Sequence, residues 1–319
     1  MKRALGELRR VLCTRFFIDY NSDYGASVLV AGTGRSGTTW VSNIINYRNR
    51  YRYILEPFHP HQVSLCAGFR YRQYLRPGNQ DKDFIEPARA ILSGRIRNRW
   101  TDSHNRKLVC GRRLIKDIRA NCMLMWLHVN FPGVPIVLVL RHPCAVANSR
   151  LKLNWGTHLD EFLAQRQLME DFLGGYRQVI EEARSAFDRH ILLWCIENYV
   201  PLKQFGRGEI HLAFYERFCE EPENEVDRLF SFLGQDVDAG VLAALREPSP
   251  TSRKESAVFS GSSLTNSWKE QITHRQMLRA LEILSLFGLD KVYSRDSLPD
   301  LDGAHAMMRE QQTVGAEGL

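Results

Sequence analysis

Four runs of apolar, largely β-branched or aromatic residues read as buried strands: SVLVA (27–31), YRYIL (51–55), PIVLVL (135–140) and EIHLAFY (209–215). Between them the apolar positions shift to helical spacing. Helical character runs from Ser36 to about Asn46, and ANCMLMWLHVNF (120–131) is an apolar helix that Pro132-Gly133 stops. The helix after residue 140 opens on His142-Pro143, where proline is acceptable in a first turn. Long helices are expected over 159–187 and 188–205, a helix over 221–234 closed by Gly234, and an amphipathic helix over 273–288. Residues 60–105 break the pattern; they are irregular and rich in arginine and aromatics, with short helices only. Strands alternating with helices predict an α/β fold, a central parallel β-sheet flanked by helices on both faces.

The two ends differ from the middle. Leu5, Leu8, Val11, Leu12 and Phe16 recur at helical spacing with Arg3, Arg9, Arg10 and Arg15 between them. This predicts a basic amphipathic helix within residues 1–22. Such a helix packs on the domain or, through residues 1–17, makes peripheral contact with an anionic membrane. The segment 299–319 is polar and expected to be loose. No linker divides residues 23–298, so a single domain is expected there, and a chain of 319 residues, 44% hydrophobic, can fill one sizeable core.

Charge narrows the ligand class. The net charge of +7 points to an anionic ligand or partner. The basic residues are spread widely, with no stacking platform beside a concentrated stripe, which argues against nucleic acid. Seven cysteines, an odd number without a Cys-x-x-Cys pair, fit a reducing, cytoplasmic compartment. No apolar run is long enough to cross a bilayer. Nothing in the pattern fixes the oligomeric state.

The stretch VLVAGTGRSGTTWV (28–41) joins the first strand to the first helix of the middle region. Gly32-Thr33-Gly34-Arg35-Ser36-Gly37 is literally G-x-G-x-x-G, the dinucleotide fingerprint, and Glu56 lies about where a ribose-binding carboxylate would sit. The same six residues frame an ATP or GTP phosphate loop, which should continue with Lys and then Ser or Thr; here Thr38-Thr39 follow. The absent lysine counts against an ATPase or GTPase. The underlying physics is common to both patterns: small residues let the backbone curl around a phosphate, and N–H groups at the helix start point at it. Arg35, Thr38 and Thr39 offer a phosphate site that needs no metal. At this point a dinucleotide-dependent oxidoreductase remains open.

The loop GRSGTTW resembles the 5′-phosphosulfate loop of sulfotransferases, which use 3′-phosphoadenosine-5′-phosphosulfate (PAPS). In VLVLRHPCAVANSRL, Arg141 ends a strand, Pro143 follows two residues on, and Ser149 stands eight after Arg141, which is similar to the family's 3′-phosphate segment. YERFCEEPENEVDRLFSFLG resembles the family's Tyr-Glu segment and implies Tyr215 beside the adenine. TNSWKEQIT resembles the late Trp-Lys segment that closes over the nucleotide. The resemblance runs from about residue 27 to 290 and implies a P-loop-like sulfotransferase fold, PAPS as donor and no metal requirement.

There are departures. Members that sulfate phenols and steroids carry Lys-Thr-His on the strand before the 3′-phosphate strand. LIKDIR keeps Lys116 but has Ile118 where the catalytic histidine would stand, which rules out a histidine base there. The carbohydrate branch is more similar, with its RSG loop, its Ser-Arg pair (Ser149-Arg150) and its Glu-Pro (Glu56-Pro57). A late glycine-rich pair of basic residues is absent; Arg253 and Lys254 are its candidate replacements.

The resemblance implies sulfuryl transfer to a saccharide or saccharide-containing lipid. Glu56 is the expected base, with Asp117 in reserve, because a saccharide hydroxyl is a poor acid. Arg35 and Lys116 are expected at the leaving phosphate. Ser36, Gly37, Thr38, Thr39 and Trp40 belong to the 5′-phosphate end, and Arg141 and Ser149 to the 3′-phosphate. His59 and His61 lack a third ligand for a metal and are read as acceptor-pocket residues. Phe69, Tyr71, Tyr74, Arg95, Arg97, Arg99 and Trp100 are candidates for stacking and holding a sugar. A catalytically inactive nucleotide-binding protein of the same fold is the other alternative.

Overall fold

The computed structural model describes residues 13–245 and 265–309. Five strands form one fully parallel sheet: β2 (Ser27–Gly32), β3 (Arg52–Leu55), β5 (Arg113–Asp117), β6 (Ile136–Leu140) and β7 (His211–Phe214). Their spatial order is β3-β5-β2-β6-β7. Two further strands of two residues each, β1 (Ile18–Asp19) and β4 (Val109–Cys110), pair separately.

The apolar runs are continuous because both faces of the sheet are covered. Leu29, Ala31, Ile115, Leu138 and Leu212 point into one core with Trp126 and Trp194. Their neighbours Val28, Val30, Leu114, Val137 and Ala213 point into the other, with Val41, Ile44 and Phe230. This is the period of two expected of a strand, with burial on both sides.

β2 is central. The chain leaves it towards the β3–β5 half and later returns to β6 on its other side. Such a reversal opens a crevice beyond the carboxyl ends of the strands, where ligands bind in open α/β sheets. Register sets what meets there: Leu55 lies beside Lys116, Val30 beside Lys116 from the other side, and Gly32 beside Val139.

Two expectations are corrected. The expected helix over 159–187 is broken into Asp160–Leu163, Arg166–Leu168, a π-turn at Met169–Leu173, a 3₁₀ turn at Gly174–Tyr176 and Arg177–Glu182. The first break falls at Gln165, whose side chain bonds Tyr74 N at 2.7 Å and Arg72 O at 3.0 Å, and whose backbone is extended. Gly174-Gly175 mark another break. Helix resumes over Ala186–Gln204.

Of the helix expected within residues 1–22, only its last part is described. Helix covers residues 13–15, and then Phe17 is drawn under the sheet between the guanidinium groups of Arg52 and Arg97. Residues 1–12 lie outside the described residues. The tail expected to be loose begins with a helix, Leu301–Met307, whose Ala304 and Met307 are buried and whose exit is tied by Arg309 N to Phe205 O at 2.9 Å.

Candidate active site

The loop after β2 turns on glycines that nothing else can replace. A Cβ on Gly32 would lie 2.5 Å from Val139 O, and one on Gly37, where φ is +97°, would lie 2.7 Å from Tyr215 Cδ2. Arg35 itself has φ of 79°. That conformation costs a non-glycine residue roughly 1–3 kcal/mol and concentrates at ligand clamps.

One cation and one amide hold the loop from behind. Arg150 Nε donates to Gly34 O at 3.0 Å, and Asn198 Nδ2 donates to Thr33 Oγ1 at 3.1 Å. Arg150 is 1% exposed. Its carboxylate partner, Glu197, lies 3.5 Å away and is also held by Arg72 Nε at 2.5 Å. Burial pulls the Arg150 pKa down to about 10 despite that carboxylate. The second member of the Ser149-Arg150 pair thus braces the phosphate loop instead of facing the cleft.

The loop after β2 and the segment after β6 meet. Arg35 Nε donates to Ser149 Oγ at 3.0 Å, and Arg141 Nη1 approaches Arg35 O at 3.5 Å. The Arg141 guanidinium lies 4.1 Å over the Tyr215 ring, which also packs against Trp40 at 5.2 Å between centroids. Behind Arg141, Glu216 accepts from His142 N at 2.8 Å, and the His142 ring stacks on Trp268 at 4.0 Å. The Trp268 segment is therefore docked on the Arg141 segment.

Two features suit an anion at the loop. Ser36 Oγ is buried and has no protein partner; such a hydroxyl is costly unless another group completes it. The helix Thr38–Ile45 starts at Gly37 without a side-chain cap. Its first N–H groups are thus presented to the cleft. Thr38 is buried, and Thr39 and Trp40 are half-buried.

Glu56 stands at the end of β3 with φ of 43°, its N–H donating to Lys116 O at 2.6 Å. Lys116 Nζ reaches its Oε1 at 2.6 Å and Arg119 Nη1 its Oε2 at 2.5 Å. Burial alone would raise the Glu56 pKa, but the two cations outweigh it and hold the carboxyl below the usual range. Asp117 is fully buried and pushed up to about 6, chiefly by burial. Its oxygens accept from Arg119 N at 2.7 Å and Phe58 N at 3.0 Å, so it ties the ends of β3 and β5 together.

The acceptor candidates separate. Tyr71 lies between the guanidiniums of Arg119 (4.7 Å) and Arg72 (4.8 Å). His59 packs edge-on against Tyr71 and Trp100, and Trp100 Nε1 bonds Glu56 O at 3.3 Å. Burial and the nearby Arg119 charge push the His59 pKa down to about 4. Phe69 and Tyr74, in contrast, are buried in the core. Arg97 sits beneath the sheet on Phe17, Arg95 and Arg99 are exposed, and His61 is exposed. Arg253 and Lys254 lie outside the described residues.

Sequence reasoning missed Arg119, Arg150 as a brace, and Glu197. A signal existed for two of them: Arg119 ends the quoted LIKDIR, and Glu197 is a lone acid inside the apolar run HILLWCIENYV. Among the described residues, no three metal-ligating side chains converge and no helix is long and apolar enough to cross a membrane.

Comparison with known proteins bears on this arrangement. Over 226 residues the chain is 26% identical to the nodulation protein NoeE of Sinorhizobium fredii (strain NBRC 101917 / NGR234), a match covering 68% of this chain and 52% of NoeE. The chain therefore spans about half of that relative's length. Among solved structures, sulfotransferase STF9 from Mycobacterium avium aligns with a TM-score of 0.47 at 13% identity, over 93% of this chain and 82% of that one. Mouse sulfotransferase SULT7A1, solved in complex with PAP, aligns with a TM-score of 0.41 at 12% identity, over 88% and 89%. The family model described as the sulfotransferase family matches residues 27–239. That match takes in every strand of the main sheet, the glycine loop after β2 and the Arg141 segment after β6, and the chain belongs to the sulfotransferase family.

Proposed function

We propose that the protein transfers the sulfuryl group of PAPS to a hydroxyl of a saccharide or saccharide-containing lipid. The observation that carries this reading is the 3.0 Å bond from Arg35 Nε to Ser149 Oγ. It joins the loop after β2 to the helix after β6 and makes one anion-binding concavity of the two. A donor with phosphates at both ends of one adenosine needs such a pair of sites.

In this reading the loop residues Ser36, Gly37, Thr38 and Thr39 hold the 5′-phosphate, with Trp40 packed beside them. Arg141 and Ser149 hold the 3′-phosphate. Tyr215 backs Gly37 and carries Arg141, which supports its assignment to the adenine side of the cleft. A new bond forms between the acceptor oxygen and sulfur as the bond from sulfur to the 5′-phosphate oxygen breaks. The electron pair leaves with adenosine 3′,5′-bisphosphate, and the acceptor proton passes to the Glu56 carboxylate. Arg35 and Lys116 meet the charge that grows on the leaving oxygen.

Lys116 serves both carboxylate and donor. Its ammonium is a mobile point charge, now 2.6 Å from Glu56. Drawn towards the sulfated phosphate, it would release Oε1 and raise the basicity of Glu56 when the donor is in place. Arg119 holds the other oxygen and fixes the carboxylate's orientation. The half-buried rings of Tyr71, Trp100 and His59 beside Glu56 suit the apolar face of a sugar. The dinucleotide reading fits less well, because it leaves the junction of Arg35 with Ser149 and Arg141 unexplained.

Acceptor-dependent release of adenosine 3′,5′-bisphosphate from PAPS, measured across a panel of saccharides, tests the proposal. Release that requires both an acceptor and Glu56 is expected. Tight donor binding without release from any acceptor would identify a non-catalytic nucleotide-binding protein instead.

A further inference from the structure

A second exposed feature lies at the opposite end of the sheet. β1 and β4 pair in parallel, with Ile18 beside Val109 and Asp19 beside Cys110. The inward residues Phe17 and Asp19 pack on Arg52 and Arg113, which open β3 and β5. The ribbon therefore lies under the N-terminal ends of the strands, while the phosphate loop and Glu56 lie at the carboxyl ends.

The outward residues are bare. Phe16 is 69% exposed, Ile18 61%, Tyr20 73%, Leu108 43% and Val109 54%. These are five of the twelve large apolar residues exposed among the described residues, and they come from two short segments. Single exposed apolar residues are ordinary, but a concentration of them marks an interaction site. Beside them lies a concavity of about 340 Å³ whose walls include Tyr20, Gly111, Arg50, Lys107 and Arg112, with no acidic side chain. Those three cations make no ion pair among the described residues, and Arg15 and Arg106 are exposed nearby in sequence.

We propose that this ribbon docks the protein on an anionic membrane surface. The apolar row enters the boundary between headgroups and acyl chains, and Arg50, Lys107 and Arg112 take lipid phosphates around it. A second copy of the chain fits poorly, because a symmetric contact would set these cations against themselves. Residues 1–12 fit poorly as a cover, since Lys2, Arg3, Arg9 and Arg10 against Glu7 add like charge. Nucleic acid matches the cations but leaves the apolar row unexplained. Docked this way, the protein turns its cleft to the aqueous side. This inference stands apart from the sulfuryl-transfer reading.

Co-sedimentation of the full chain with phosphatidylcholine vesicles, with and without phosphatidylglycerol, tests it. Binding only to the anionic vesicles, weakened by salt, is expected. Replacing Arg50, Lys107 and Arg112 together by alanine should lower the partition constant on the order of a hundredfold, about fivefold per cation. Ile18→Asp with Val109→Asp should also lower it, with the melting temperature and affinity for adenosine 3′,5′-bisphosphate unchanged in both variants. A Tyr20→Trp variant gives an independent readout: its added emission should shift to the blue on adding anionic vesicles. Absence of vesicle binding, binding that survives both sets of substitutions, an aspartate-sensitive dimer in sedimentation velocity, or equal competition by duplex DNA would each overturn the proposal.

Discussion

β3 and β5 carry buried charge at both ends, in opposite states of completion. At their N-terminal ends, Arg52 donates to Asp102, to Asp19 and to the carbonyls of Gly94 and Ile96. Arg113 donates to Asp19, to Ser27 Oγ and to the carbonyls of Asn21 and Asp23. No side-chain atom of Arg52, Arg113, Asp19 or Asp102 is left buried and unpartnered. At the carboxyl ends Glu56, Lys116 and Arg119 also pair. There, however, Ser36 Oγ and Arg119 Nε remain without protein partners, as do Arg72 Nη1 and Arg150 Nη1 behind them. The strands and the residue types are the same. Buried charge alone therefore signals neither structure nor chemistry; what distinguishes the two ends is the bonding capacity left over.

The contrast can be broken at four points. Glu56→Gln should lower kcat by roughly 10²–10⁴, the usual worth of a general base, with bisphosphate affinity little changed. Surviving turnover would move the base elsewhere. At the completed end, Arg52→Ala should cost about 3–5 kcal/mol of stability in denaturant unfolding, because it leaves the buried Asp102 carboxylate without its cation. Activity per folded molecule should be retained; a catalytic defect without loss of stability would erase the distinction between the two ends.

Arg141→Ala should weaken adenosine 3′,5′-bisphosphate by roughly 1.5–3 kcal/mol, as for a hydrogen bond to a charged group, and adenosine 5′-phosphosulfate far less. Equal losses would contradict the 3′-phosphate assignment. The smallest effect is a pH slope. Asp117 titrates near 6 in the fold against 3.8 ordinarily, so the folded state holds its proton more tightly. Its contribution to stability is present below the ordinary value and is lost as pH rises through about 6. Asp117→Asn should flatten melting temperature against pH in that window. It should also cost about 1–3 kcal/mol, since the two backbone N–H groups bond different oxygens and the amide replaces one of these with a donor.

Four of the five strands were legible because burial on both faces makes them apolar runs; β5, whose Arg113, Lys116 and Asp117 interrupt its apolar pattern, showed only through the resemblance of LIKDIR. The glycine turn after β2 was legible because close approach to Val139 and Tyr215 demands glycine. The β1–β4 ribbon was not, since two-residue strands that pair across the chain leave no periodic trace. Phe69, Tyr71 and Tyr74 are alike in composition, yet Phe69 and Tyr74 point into the core and Tyr71 lies between guanidiniums. A loop without a fixed period does not encode side-chain direction. Gln165 broke a helix that its own neighbourhood favoured, because it is captured by the backbone at Arg72 and Tyr74. Glu197 gains its meaning only from Arg72 and Arg150, which tertiary packing brings to it.

The central claim is that the unfinished end of the sheet is a site for PAPS. Calorimetric titration of the full chain with adenosine 3′,5′-bisphosphate, with ATP and NADH in parallel, tests it most directly. Tight binding of the bisphosphate alone is predicted. No binding, or a preference for NADH, would contradict it and return the glycine loop to its dinucleotide reading.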